Sequence, residues 1–179
     1  QQTYLSLGAR GLASPDEGRY ALRVAETLLG GGMSSRLFQR IREDAGLAYF
    51  VSSSLDFMRD GGAVGIDLGV SPDKPRQALD LLRDELDKLL ADGPSAVEVE
   101  AAKMQLKGSI VMAEESLSSR MYHIARQELQ LGRHTTTERQ LGQVLAVTRD
   151  QVVESLRALL KPESFSLAVR GPVEGGLVS

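Results

Sequence analysis

Histidine is scarce and cysteine is absent in this sequence, which limits the metal sites and nucleophiles that it could form. Its 179 residues include two histidines, His123 and His134, and no cysteine. The lack of cysteine excludes disulfides, thiolate metal sites and cysteine nucleophiles together. The two histidines are eleven positions apart on different predicted segments. We therefore expect two separate, partly exposed polar side chains rather than a shared zinc site.

Motifs for common catalytic and nucleotide-binding sites are also missing. The glycine run at residues 30–32 lacks the spacing and the lysine of a phosphate-binding loop, and G-x-S-x-G, H-E-x-x-H and H-x-x-E-H do not occur. Asp84, Glu85 and Asp87 alternate with leucines on a predicted helix, which indicates a solvated face rather than a metal site. With 21 basic and 24 acidic residues the net charge is −3, which argues against nucleic acid or an anionic membrane as the main partner.

Arg42 and Tyr49 form the most informative pair of polar side chains. A predicted turn at Ala45 and Gly46 separates them, so both could reach the same edge of a sheet. A guanidinium and a phenol there could donate hydrogen bonds to a carbonyl or an oxyanion. Alternatively, Arg42 complements a helix dipole and Tyr49 packs at a sheet edge. The residues alone favour this second interpretation.

Gly30, Gly31 and Gly32 also allow two interpretations. They can end a helix with a residue at positive φ, which glycine adopts readily. They can instead let another segment of backbone approach closely. The sequence pattern favours the helix end.

The predicted elements follow the order strand, two helices, two strands, several helices and a last strand. Ser14 and Pro15 predict the start of the first helix, and a second helix is predicted over residues 34–45. Strands over 47–57 and 63–70 flank turn residues, which is typical of a β-hairpin. Because paired strands occur without a helix between each pair, the fold class is predicted as α+β, with a mostly antiparallel sheet and helices packed on one face.

The second half of the chain is predicted to be mostly helical. Ser95-x-x-Glu98 and Thr148-x-x-Gln151 match capping boxes, and a last strand is predicted around Leu167. In the helix predicted after Ser95, five residues recur at a spacing of three or four and are predicted to form one apolar face. They are Val97, Ala101, Met104, Gly108 and Val111. Apolar runs are only a few residues long, so no membrane-spanning helix is expected.

Two runs carry a resemblance to a known family. They are GGGMSSRLF at residues 30–38 and R-x-x-x-G-L-A-Y at residues 42–49. Both resemble the C-terminal, non-catalytic domain of the pitrilysin/insulinase family of zinc metallopeptidases, in its smaller members similar to the mitochondrial processing peptidase. The order of elements fits this domain from Gln2 to about Pro172, which implies a LuxS/processing-peptidase-like fold.

The resemblance implies a two-part enzyme. Family members pair two domains of one fold around a peptide-holding chamber, and the N-terminal domain carries an H-x-x-E-H zinc motif. The C-terminal domain lacks the metal and contributes an arginine and a tyrosine to substrate binding, which correspond to Arg42 and Tyr49. Aligned at the glycine run, the H-x-x-E-H positions fall on Leu22, Arg23, Val24, Ala25 and Glu26. Leu22 cannot bind zinc and Ala25 cannot act as a base.

We therefore expect residues 1–179 to form a single non-catalytic domain belonging to a larger chain. Its expected function is that of the substrate-binding, zinc-less half of a zinc metalloendopeptidase; the alternative is a structural or assembly subunit without a role in proteolysis. No cofactor is expected in this chain, and zinc is expected in the partner catalytic domain. Expected partners are that domain, in the same or a separate chain, and a peptide substrate, with a second copy in a homodimer as a further candidate. The sequence leaves the compartment open between bacterial cytoplasm and periplasm.

Overall fold

The computed structural model describes residues 2–160 and 162–172 of the chain. Gln1, Lys161 and residues 173–179, which the predicted single domain includes, lie outside the described residues. The elements are β1 (Thr3–Gly11), α1 (Arg19–Gly30), a π-helix (Phe38–Asp44), β2 (Ala48–Phe57), β3 (Gly62–Val70), α2 (Pro75–Asp92), α3 (Ala96–Glu114), α4 (Leu117–Leu131), α5 (Thr137–Leu145), α6 (Arg149–Leu159), a 3₁₀ turn (Pro162–Ser164) and β4 (Ser166–Arg170). The predicted order of elements is confirmed.

The four described strands form one antiparallel sheet in the order β2-β3-β1-β4. Leu5 in β1 pairs with Leu68 in β3 on one side and with Val169 in β4 on the other. The predicted hairpin is formed by β2 and β3, and its turn is closed by a hydrogen bond from Met58 N to Gly61 O at 2.9 Å. β2 and β4 are the edge strands of this sheet. The α+β prediction is confirmed.

The helices cover one face of the sheet. Alternate side chains of the central strands, such as Leu5, Leu7 and Ile66, are buried there, whereas Tyr4 and Ser6 point to the exposed face. Helix α1 packs against β2 on one side and against α3 and α6 on the other. Nine of its twelve residues are buried as a result, which makes α1 the central helix of the core.

The first helix begins later than predicted. Its N-cap is Gly18, without a side-chain cap, whereas Ser14 and Pro15 precede the helix. Ser14 is buried instead: its N–H bonds Met58 O at 2.7 Å, and its Oγ donates to Gln130 Oε1 at 2.7 Å. A helix cap contributes only about 1 kcal/mol, so these bonds to distant segments outweigh the local signal.

The second helix differs in type from the prediction. A regular helix over residues 34–45 was expected, but the structure has a π-helix at Phe38–Asp44. The carbonyl of Ile41 accepts from Leu47 N at 3.0 Å, and Gly46 adopts φ +60° two residues before the start of β2. Ile41 is fully buried, so tertiary packing and the short return into β2 hold the wider turn.

Both predicted capping boxes are present, at the starts of α3 and α6. The apolar face predicted for α3 is nevertheless exposed: Val97 is 78% and Met104 48% accessible, while Val99 and Ala102 are buried. Helix α4 also exposes large apolar side chains, and the two helices together present Val97, Met104, Val111, Met112, Leu117, Met121, Tyr122, Ile124 and Leu129 to solvent. No helix in the described ranges has the length and apolar character needed to cross a membrane.

Candidate functional site

The α1 segment from Leu22 to Glu26 occupies the positions aligned with H-x-x-E-H. Leu22 and Ala25 are buried and offer no ligand atoms. Glu26 is the only residue of the segment whose side chain is of a type that binds zinc. Its carboxylate is already engaged, since Ser53 Oγ donates to Glu26 Oε1 at 2.7 Å. Burial raises the pKa of Glu26, against the opposing effects of the Ser53 hydrogen bond and the Arg23 charge. Across the described part of the chain, no three His, Asp or Glu side chains are grouped to hold a metal. These residues do not fit zinc.

The glycine run owes its composition to close packing. Helix α1 ends at Gly30 with Gly31 as its C-cap, as predicted, but none of Gly30, Gly31 and Gly32 has a positive φ, so the predicted left-handed conformation is wrong. A Cβ on Gly30 would lie 2.6 Å from the backbone nitrogen of Ser53 in β2, which real Cβ atoms do not tolerate. Gln105 Nε2 donates to Gly31 O at 2.9 Å. The glycines thus let α1 approach β2 and let α3 cover its end.

Arg36, in the run after the glycines, makes an ion-pair cluster that the sequence analysis missed. Its guanidinium forms a bidentate pair with Glu98, at 2.6 and 3.0 Å, and contacts Glu85 Oε1 at 3.2 Å. Glu85 was predicted to be solvated but is largely buried, because Arg36 provides the charge that permits it. Burial acts to raise the pKa of Glu98, but hydrogen bonds from Arg36 and Ser95 prevail and lower it to about 2.

Arg42 lies in the last turn of the π-helix. Its side chain is 43% exposed, and its guanidinium stacks on Phe38 with the carbon 4.7 Å from the ring centroid. The contact with Glu43, Nε to Oε1 at 3.8 Å, is long and exposed, so it contributes little. Within the described residues, no hydrogen bond engages the guanidinium of Arg42, which leaves its donor groups available to a ligand.

Tyr49 occupies a β-bulge at the start of β2. Ala48 pairs with Val70 and Phe50 with Gly69, so Tyr49 is the extra residue without a partner in β3. Its side chain is 54% exposed, and its hydroxyl lies 3.1 Å from Ser71 Oγ. Bulges redirect side chains at sheet edges, often near active sites. The sequence had no signal for this bulge, because register depends on the partner strand.

The structure places Arg42 and Tyr49 on the two irregular elements at either end of one short turn. Both side chains are exposed, and no hydrogen bond joins them within the described residues. The two histidines lie on different segments: His123 is half-buried on α4, whereas His134 is exposed in the following loop. His123 Nε2 lies 2.5 Å from Gln127 Nε2, and burial, followed by the charge of Arg23, lowers the pKa of His123.

Together, the sheet, its helical layer and the residue types of the α1 segment define an α+β domain of the metallopeptidase type that lacks the zinc-ligand set at these positions. The sequence model of the protein family described as the peptidase M16 inactive domain matches residues 1–106 of the chain. The chain belongs to this family of inactive peptidase M16 domains. The resemblance inferred from the glycine run is therefore confirmed.

Relatives of known sequence and structure agree with this assignment. A Mycobacterium tuberculosis protein named as an uncharacterized zinc protease is 40% identical over 172 residues, covering 96% of this chain and 39% of that protein. This chain thus spans about two fifths of the length of the curated relatives it matches. The crystal structure of a peptidase M16 inactive domain from Pseudomonas fluorescens has a TM-score of 0.85 and 25% identity, covering 96% of this chain and 41% of that one.

The same fold also occurs in a very different assembly. A chain of complex III2 from Candida albicans matches with a TM-score of 0.82 at 16% identity, over 94% of this chain and 42% of that one. At this identity the likeness concerns the fold alone.

Proposed function

We propose that this domain is the substrate-binding, zinc-less half of a zinc metalloendopeptidase. It would enclose and orient a peptide that a partner H-x-x-E-H domain hydrolyses with its zinc. The observation that carries the proposal is the exposed Tyr49 in the bulge of edge strand β2, one short turn after the exposed Arg42. Membership of the family supports it, as does the name zinc protease borne by relatives more than twice as long.

Edge strand β2 supplies the backbone groups for holding an extended peptide. It pairs with β3 alone among the described strands, so its other edge offers N–H and C=O groups. A peptide added at such an edge gains affinity from backbone hydrogen bonds and needs little sequence preference. The Tyr49 hydroxyl and the Arg42 guanidinium would then donate to the carbonyl of the bond to be cleaved, as negative charge develops on its oxygen.

The partner surface is proposed to include the exposed apolar side chains of α3 and α4. Large apolar areas on a surface often mark places where another domain or subunit packs. The catalytic domain, in the same chain or another, is the first expected occupant, and a homodimer is the second. The Gly30–Gly32 run supports this arrangement indirectly, since it fixes α1 and α3 relative to β2.

Tyr49→Phe in the enzyme assembled with its catalytic domain tests this function. Loss of one donor to a developing oxyanion lowers kcat by roughly 100-fold with little change in KM. Arg42→Ala is expected to raise KM as well, because a charged donor also binds the carbonyl in the ground state. Tyr4→Phe is a matched control, since Tyr4 is exposed on β1 and loses the same hydroxyl.

Melting temperatures measured on the same variants distinguish the proposed function from the alternative, a structural or assembly subunit without a role in proteolysis. In a structural subunit, Tyr49→Phe and Arg42→Ala lower the melting temperature and leave turnover intact. Full turnover in both variants would rule out the proposed contacts with the peptide.

A further inference from the structure

Arg23, His123 and Arg126 meet where two cavities join beside α1 and α4. Both cavities are lined by these three residues and by Gln140. The larger has a volume of about 360 Å³ and extends between α3 and α4. The smaller, of about 80 Å³, extends toward Phe57 at the end of β2. This junction is separate from the π-helix and the bulge that carry Arg42 and Tyr49.

Within the described residues, no carboxylate forms a direct ion pair with the two arginines at this junction. Glu114 is the only carboxylate among the described residues that line the two cavities. It is already engaged, because Arg120 Nε lies 3.5 Å from its Oε2 and Thr137 Oγ1 donates to its Oε1 at 2.8 Å. In the described part of the chain, neither Arg23 nor Arg126 has a carboxylate oxygen within 4.0 Å.

Arg23 is the more constrained of the two arginines. Its guanidinium carbon lies 5.5 Å from the centroid of the Phe57 ring. Burial lowers the pKa of Arg23, and the charges of Arg19 and Arg126 act in the same direction, against Tyr20 and Glu26. A partly buried cation beside other cations is unfavourable unless an anion joins it. An incoming anion would therefore gain more here than at an exposed arginine.

We propose that the larger cavity, at its junction with the smaller one, binds an oxyanion, a carboxylate or phosphate group, through the guanidinium groups of Arg23 and Arg126. Arginine recognises both groups because its planar fork of donors matches their oxygen atoms. Ile110, Ala113 and Tyr122 also line the cavity and provide contact for an apolar part of the ligand. This proposal does not depend on the function proposed for Arg42 and Tyr49.

Titration calorimetry on the 179-residue chain at low salt tests the site with three probes. These are inorganic phosphate, a capped tripeptide with a central glutamate, and the same tripeptide with glutamine. Saturable binding is expected for phosphate or for the glutamate peptide, and none for the glutamine peptide. Arg126→Gln weakens the binding at least about tenfold, since it removes a charged donor. Arg126 is exposed, so this variant is expected to fold.

Arg10→Gln is the matched control, because it removes the same charge from an exposed position on β1. The probe that binds more tightly identifies the source of the oxyanion as a free anion or a peptide side chain, and either result supports the site. Absence of saturable binding for phosphate and the glutamate peptide overturns the proposal. Equal weakening by Arg126→Gln and Arg10→Gln also overturns it, since the effect would then reflect net charge alone.

Discussion

The α1 segment Leu22–Glu26 and the segment from Arg42 to Tyr49 differ in nearly every physical respect. The first lies in a regular helix, with Leu22 and Ala25 buried and the Glu26 carboxylate hydrogen-bonded to Ser53. The second joins a π-helix to a bulged strand and exposes the side chains of Arg42 and Tyr49. In this chain, the segment expected to align with the metal motif is largely part of the core, whereas donors are accessible at the sheet edge.

The difference reflects the different demands on a helix that packs in a core and on side chains at a sheet edge. A zinc-binding helix must present polar ligands to a cavity, at a cost in stability. Without the metal, those positions can contribute to packing, as Leu22 does at 1% exposure. Substitutions in α1 should therefore act on stability, whereas substitutions at Arg42 and Tyr49 should act on binding and turnover.

The largest effect is expected for Leu22→Ala. Truncation of a fully buried leucine costs about 2–5 kcal/mol in free energy of unfolding, through lost burial and the cavity left behind. Arg42→Ala is expected to change that free energy by about 0.5 kcal/mol or less, as is usual for exposed positions. Urea unfolding of both variants measures the contrast. Comparable losses of unfolding free energy in the two variants would contradict the distinction between a stabilising α1 segment and a binding segment at Arg42 and Tyr49.

Gly30→Ala should cause the next largest loss in free energy of unfolding. Gly108→Ala should instead increase that free energy. A Cβ at Gly30 collides with the Ser53 backbone in β2, and such overpacking typically costs about 1–3 kcal/mol. A Cβ at Gly108, exposed inside α3, meets nothing within 4 Å. Alanine there is expected to stabilise by about 0.4–1 kcal/mol, since it suits a helix better. Thermal unfolding of both variants checks the two signs.

The Arg36–Glu98 pair predicts a loss of stability in acid. Glu98 has a pKa of about 2 in the folded chain against 4.5 as its ordinary value, so its contribution is present above pH 4.5 and is lost as the pH falls toward 2. Because both side chains are partly exposed, we discount the contribution to about 1–2 kcal/mol. Unfolding measured across this range should show a smaller acid-induced loss for Glu98→Gln, which is already less stable at neutral pH.

Among these variants, Glu26→Gln is expected to change the free energy of unfolding least. Burial raises the pKa of Glu26, so the cost of its charge is absent below pH 4.5 and appears as the pH rises through the folded-state value. Glutamine keeps an acceptor for Ser53 without the charge. The variant is expected to gain about 0.5–1 kcal/mol at neutral pH, at the low end of effects for point substitutions. Unfolding at pH 4 should show a smaller gain than unfolding at neutral pH.

Local patterns in the sequence determined the α+β class, the β2–β3 hairpin and the capping boxes at Ser95 and Thr148. These features depend on alternation, turn residues and groups three positions apart, all of which can be read along the chain. The spacing of Arg42 and Tyr49, together with the family resemblance, also singled out the candidate binding pair. Its part in peptide binding stays a prediction.

Only the tertiary structure decided which surfaces these elements bury. The apolar face of α3 that begins at Val97 lies in solvent, because Val99 and Ala102 fit against the rest of the core instead. Ser14 bonds Met58 and Gln130 rather than capping α1, and Gly30 is required by the nearness of Ser53 rather than by its own φ. The bulge at Tyr49 arises from the register with β3. Each outcome depends on a partner distant in sequence, whose position local residue patterns do not specify.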